Sequence, residues 1–147
     1  MKQFISGAAT AVAVGVAIAA GVIYSGRVAI GADEPHSPFV FNILEITRDR
    51  AIERSAENVA VPPDLASAQR IRRGAGNYEA MCATCHLRPG ESDSEIRMGL
   101  YPAPTALTKA ERADERSPAE QFWVIKHGIK STGMAAWGRG GMTDGDI

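Results

Sequence analysis

The sequence Cys82-Ala83-Thr84-Cys85-His86 contains the only two cysteines of the chain, followed at once by a histidine. On a helical turn, positions i, i+3 and i+4 lie on one face, so both thiols and the imidazole point the same way. Two cysteines cannot form a disulfide scaffold, and a zinc site would need a second cysteine pair. A redox-active C-x-x-C pair belongs near a strand–helix junction, and no strand pattern longer than a few residues is present.

This spacing is typical of covalent haem attachment. Cys82 and Cys85 can each add to one vinyl group of a haem, and His86 then lies beneath the iron as its proximal axial ligand. Two thioether links fix a haem without a large enclosing core, which suits a chain of only 147 residues. The sequence therefore predicts one covalently bound haem c.

The residues before the motif resemble the start of a class I cytochrome c domain of the bacterial, membrane-anchored, monohaem type. Gly74 and Tyr78 stand eight and four residues before Cys82. In that family, the first helix presents a glycine and an aromatic residue at this spacing, where a C-terminal helix crosses it. The resemblance starts near Ala66 and implies a mainly α fold of short helices and loops around the haem, with Tyr78 among the haem-binding residues.

The second axial position of the iron decides whether a haem carries electrons or binds small ligands. Residues 131–138 are similar to the family's distal methionine loop, with Ala135 where proline is common. The resemblance implies that Met134 is the distal iron ligand and that Trp137 covers the haem edge. The other candidates downstream of the motif are Met98, His127 and Met142.

Two further segments belong to this domain. Ser117 to Glu120 form a capping box with Pro118 in the first turn, which predicts a helix. Residues 101–107 resemble the family's proline-containing loop, whose backbone carbonyl accepts a hydrogen bond from the proximal histidine. Thr105 stands where the family has its proline, with Pro104 just before it, which leaves the accepting carbonyl open.

The N-terminal segment is apolar. Residues 3–26 carry no charge and lie between Lys2 and Arg27. A helix of that length spans roughly 36 Å, and a hydrocarbon core is about 30 Å thick. We expect residues 1–30 to be a single-pass transmembrane anchor; the alternative is a signal peptide cleaved near residues 29–32. Either way the remainder is exported, which predicts a haem domain on the periplasmic side of the inner (cytoplasmic) membrane.

Residues 31–63 are expected to form a linker with an amphipathic helix that begins at the Ser37-Pro38 cap. Its first half is apolar and its second half charged, as in a helix that leaves a membrane surface and leans on the next domain. A solvated connecting helix is the alternative. Residues 64–147 are predicted to be the cytochrome c domain. Because residues 143–147 look like the first turn of the family's C-terminal helix, we expect the domain to be truncated before that helix.

The net charge of the chain bears on which partners it can bind. Sixteen basic and seventeen acidic residues give a net charge of −1, with no basic excess that would indicate nucleic acid. Together with the resemblance, this predicts an electron carrier, not an enzyme, that meets redox partner proteins in a respiratory or related periplasmic chain. Two alternatives stay open: a haem subunit of a membrane oxidase or dehydrogenase, and a peroxidase-like or ligand-binding haem protein if Met134 is not the sixth ligand.

Overall fold

The computed structural model of the protein describes residues 2–108 and 116–147. The chain forms two compact units, Met1–Glu34 and Pro35–Ile147. Within the described ranges, every regular element is helical and no strand occurs. The mainly α fold predicted from the sequence is confirmed.

The first unit contains helix α1, Lys2–Tyr24. Its segment Phe4–Tyr24 has a mean hydropathy of 2.0, and none of it is buried within the protein. The hydroxyl of Thr10 donates to the carbonyl of Ser6 at 3.0 Å, so this polar group is satisfied inside the helix. By length and composition, α1 can cross a membrane.

Helix α2, Pro38–Ala56, starts the second unit. Its cap is the predicted one, because the Ser37 hydroxyl accepts from the backbone N–H of Val40 with proline in the first turn. Ile52 and Ala56 are buried, and the helix packs against α6, Pro118–His127. The helix predicted within residues 31–63 therefore packs on the unit that carries the cysteine motif.

The segment leading into the motif changes its helical type. Helix α3, Ala68–Asn77, is capped by the Ser67 hydroxyl, a π-helical turn follows over Tyr78–Cys82, and α4 covers Ala83–His86. The sequence predicts a helix that is capped by Ser67 or Asp64 and runs toward Cys82, and the structure departs from that prediction in the π-turn. Because a π-turn holds more residues than an α-turn, it rotates the side chains that follow it.

Helix α5, Glu95–Gly99, was not predicted and lies beside α4. Helix α6 has the predicted capping box, since the Ser117 hydroxyl accepts from the Glu120 N–H and the Glu120 carboxylate accepts from the Ser117 N–H. The most deeply buried side chains of the described part include Ala83, Leu87 and Ala106. Part of the core of the second unit therefore lies around the cysteine motif, and another part is formed by Ile52 and Ala56 of α2.

Candidate functional site

The two thiols lie at the junction of the π-turn and α4. Cys82 ends the π-turn, Cys85 lies within α4, and both are free and half-buried. Burial raises the pKa of the Cys82 thiol, and the negative charge that Cys85 carries when ionised raises it further. At neutral pH, Cys82 is therefore kept as the protonated thiol.

His86 is held by the backbone of the loop that follows α5. Its Nδ1 lies 2.7 Å from the carbonyl oxygen of Thr105. A carbonyl can only accept, so Nδ1 carries the proton and Nε2 keeps its lone pair for a metal. The accepting carbonyl that the sequence left open is that of Thr105. In addition, the Leu107 N–H donates to the carbonyl of His86 at 3.2 Å, which fastens the two segments together.

Helix α5 and its N-cap residue bond to the cysteine motif and to the loop that holds His86. The Ser94 hydroxyl donates to the carbonyl of Thr84, inside the motif, at 2.6 Å. The Nε of Arg97 donates to the carbonyl of Pro104, the residue before Thr105, at 2.9 Å. Sequence reasoning missed both residues. Ser94 could have been found as a helix cap before Glu95, whereas nothing in the sequence marks Arg97 as bonded to this loop.

Tyr78 supports the end of the motif. Its hydroxyl lies 2.7 Å from the carbonyl of Leu87 and 3.2 Å from that of His86. Burial raises the pKa of Tyr78, which keeps the hydroxyl protonated as a donor. A Cβ added at Gly74 would meet no atom within 4 Å, apart from its own helix and chain neighbours, in the described part of the chain. The Tyr78 hydroxyl therefore bonds to the backbone of His86 and of the residue after it.

The loop carrying Met134 is fixed by its own hydrogen bonds. The Met134 N–H donates to the Thr132 hydroxyl at 3.1 Å, and that hydroxyl donates to the carbonyl of Ile129 at 2.8 Å. The Ile129 N–H in turn donates to the carbonyl of Met134 at 3.2 Å. Met134 is half-buried, and this last hydrogen bond joins it to the first part of the loop.

Two glycines let the methionine loop approach its neighbours. Gly128 ends α6 with a φ of +66°, and a Cβ there would lie 2.7 Å from the carbonyl oxygen of Met134. A Cβ on Gly133 would lie 2.7 Å from Leu100. Leu100 belongs to the segment that runs on to Thr105, so the methionine loop and the loop that holds His86 lie side by side.

The remaining sequence candidates lie around α6. Trp137 is half-buried, and its backbone N–H donates to the carbonyl of Ile125 at 3.2 Å. His127 is exposed, with its ring 4.9 Å from that of Trp123. Met98 is 67% exposed, and the N–H of Met142 donates to the carbonyl of Trp137 at 3.1 Å.

The chemistry of these residues suits a haem better than a bare metal ion. Among the described residues, no group of three His, Cys, Asp or Glu side chains could hold a metal ion. Two free thiols beside an imidazole with its Nδ1 already engaged are instead the groups that a covalent haem requires. Cys82, Cys85 and His86 therefore fit haem attachment.

Comparison with known proteins agrees with this fit. A family model described as "Cytochrome C oxidase, cbb3-type, subunit III" matches residues 69–147, which is 79 of the 147 residues. The matched range contains the cysteine motif and the methionine loop. No curated protein and no solved structure gives a significant match to the chain.

Proposed function

Because the chain belongs to the family of cytochrome c oxidase, cbb3-type, subunit III, whose c-type domain implies a covalent haem c, we propose that it transfers single electrons with His86 and Met134 as axial ligands. When bound, the haem supplies a one-electron Fe(II)/Fe(III) couple. The observation that carries the proposal is the hydrogen bond from His86 Nδ1 to Thr105. It presents Nε2 as a ready ligand beside two free thiols.

The protein's own residues would make this an electron carrier by holding both ligands still. Cys82 and Cys85 would bind the haem through thioethers. The carbonyl of Thr105 orients the imidazole of His86. Because it accepts a hydrogen bond from the Nδ1–H, it also makes the imidazole a stronger electron donor. Thr132 holds the backbone of Met134. Ligands fixed in advance leave little to rearrange on electron transfer and keep the iron closed to substrates, so we propose no catalysis.

Helix α1 supports a position at a membrane, because it is long and apolar enough to cross one. We propose that residues 1–30 anchor the chain in the inner membrane, that residues 31–63 connect to the haem domain, and that the haem domain of residues 64–147 lies on the periplasmic side. Redox partner proteins would meet the haem edge, with Tyr78 and Trp137 among the residues that line the haem. Lys130 and Arg139 are exposed near the methionine loop and can steer such partners by charge.

A second candidate is a haem subunit of a membrane oxidase complex. The description of the matching family favours it, because that description names an oxidase subunit. Both candidates use the same ligands and differ in whether the chain works within an assembly. Purification from gently solubilised membranes distinguishes them: a stable complex with other redox subunits supports the subunit, and a chain that purifies alone supports the free carrier.

Absorption spectroscopy with redox titration of the full-length protein tests the proposal. We expect a low-spin oxidised form with the weak red band of methionine bound to ferric iron, and a reversible one-electron transition. We also expect carbon monoxide and cyanide to bind slowly, because a protein ligand has to leave first. A high-spin oxidised spectrum with fast binding of either ligand would instead indicate an open site and a ligand-binding or peroxidase-like protein.

A further inference from the structure

The first half of α2 exposes a cluster of large apolar side chains, which we call the outer face of α2. Phe39 is 74% exposed, Ile46 62%, Leu44 51%, Ile43 48% and Val40 41%. These five residues lie within eight positions of one another. Scattered exposed apolar residues are ordinary, whereas a contiguous apolar patch indicates a surface that contacts something else.

The outer face does not serve the packing of α2 on its own domain. The side chains of α2 that are buried are Ile52 and Ala56. Phe39 precedes Ile52 by 13 positions. At about 100° per residue, the Phe39 side chain therefore lies some 220° around the helix axis from that of Ile52, on a different side of the helix. Beyond Ile46, no large apolar side chain of the helix is exposed, and the exposed positions are charged, small or hydroxyl-bearing. There Arg50 pairs with Glu53 at 2.9 Å, and Arg54 with Glu57 at 2.7 Å.

The chain connection indicates what covers the outer face. Helix α1 ends at Tyr24 and α2 begins at Pro38, so 13 residues join them. Such a segment spans at most about 45 Å when fully extended. The apolar half of α2 is the half nearest to α1 along the chain. If α1 crosses a membrane, these side chains stay within reach of its surface.

We propose that the outer face of α2 inserts into the lipid–water boundary of the bilayer that α1 crosses. The proposal rests on the membrane anchoring stated under the proposed function. A helix with one apolar face lies in the membrane plane with that face among the upper acyl chains. Because the arginines of the second half are paired with glutamates, apolar burial drives the contact. Binding should therefore need no anionic lipid and should resist salt.

This contact would control where the haem domain sits. Helix α2 packs on α6, and the methionine loop starts directly after α6 at Gly128. Insertion of the outer face would hold α6 and the methionine loop near the membrane surface. Electron exchange would then be directed towards partners embedded in the same membrane.

Photolabelling from lipid tests the proposal on the full-length holoprotein. The protein is reconstituted into phosphatidylcholine nanodiscs containing a phospholipid with a diazirine near the top of its acyl chain. Labelled peptides are identified by mass spectrometry. We expect label in residues 39–46 as well as in Phe4–Tyr24, at a level severalfold above that at Ile71, which is 60% exposed on α3. High salt should leave the labelling of residues 39–46 unchanged.

Paired variants make the test specific. Phe39→Ser with Ile43→Ser should reduce the labelling of residues 39–46 severalfold, with no change at α1. Ile71→Ser, an equally exposed apolar position, should change neither. The haem spectrum of each variant verifies that the domain is folded.

Three outcomes would overturn the proposal. Label in α1 with only the Ile71 level in residues 39–46 would refute the outer-face contact and leave the anchor standing. Cross-links from residues 39–46 to a second copy of the chain, in place of lipid label, would show that a protein covers the face. Absence of label from α1 would refute the anchor itself, and the insertion of α2 with it.

Discussion

The Nδ1 atom of His86 lies 2.7 Å from the backbone carbonyl oxygen of Thr105, 19 residues further along the chain. The neighbouring carbonyl, of Pro104, accepts from Arg97 at 2.9 Å. Two consecutive carbonyls of one loop thus bind an arginine of α5 and His86. The direction in which His86 presents its Nε2 therefore depends on α5.

Arg97→Lys keeps the positive charge beside Asp93 but loses the Nε–H that donates to Pro104, and it should raise the reduction potential without loss of covalent haem. Without the hydrogen bond to Pro104, the loop holds the Thr105 carbonyl less firmly, so the imidazole donates less charge and stabilises the oxidised state less. A hydrogen bond worth about 1 kcal/mol corresponds to a shift on the order of 40 mV. Potentiometric titration measures it. Arg70→Lys, which loses the Nε–H that donates to Asp64 on the exposed surface, is the control, and an equal shift in both variants would contradict the account.

Met134→Ala should keep the covalent haem and lose the red methionine band. The reduction potential should fall, because an axial thioether raises it. Carbon monoxide should bind faster, since no protein ligand has to leave. Met142→Ala, eight residues on, should change neither property. A lowered potential in the Met142 variant alone would show that the distal ligand is wrongly assigned.

Gly128→Ala should weaken the methionine loop. At a φ of +66°, alanine is strained, and its Cβ would also lie 2.7 Å from the Met134 carbonyl oxygen. We expect a loss of unfolding free energy of about 1–3 kcal/mol and a weaker methionine band. Gly90→Ala is a matched control, because Gly90 has a φ of +88° with no atom within 4 Å of the added Cβ. Equal losses and an intact band in both variants would argue against the contact with Met134.

Tyr78→Phe should cost about 1 kcal/mol of unfolding free energy at neutral pH, because the hydrogen bond to the Leu87 carbonyl is lost. Burial raises the pKa of Tyr78. Its contribution to stability is therefore complete below the unfolded-state pKa of about 10 and is lost as the pH rises through the folded-state pKa. Denaturant unfolding at neutral and alkaline pH should show the two proteins converging in stability. A constant difference across this range would refute the role of the hydroxyl.

Much of the fold could be predicted from residues that are neighbours in the sequence. The caps at Ser37 and Ser117 were predicted because a hydroxyl before a helical pattern satisfies free N–H groups within three residues. The cysteine motif predicted haem because its spacing alone places three side chains on one helical face. Such features depend on neighbours along the chain, which a single sequence displays.

Features that depend on how the loops fold were not predictable. In the sequence, Arg97 looks like an ordinary surface charge, and its bond to Pro104 depends on the path of residues 100–104 after α5. The tight approach of Gly128 to Met134 likewise exists only once the loop folds onto the end of α6. The π-turn at Tyr78–Cys82 has no recognised sequence signature, so the change of helical type within the helix that leads to Cys82 was not predicted.

The intact mass of the denatured full-length protein, produced in cells that mature c-type cytochromes, tests the central claim most directly. The account predicts a mass higher than that of the polypeptide by one haem, with the added mass on the peptide containing Cys82 and Cys85. Cys82→Ser with Cys85→Ser should have the mass of the polypeptide alone. A wild-type protein that releases its haem on denaturation, or a double variant that keeps it covalently, would contradict the account.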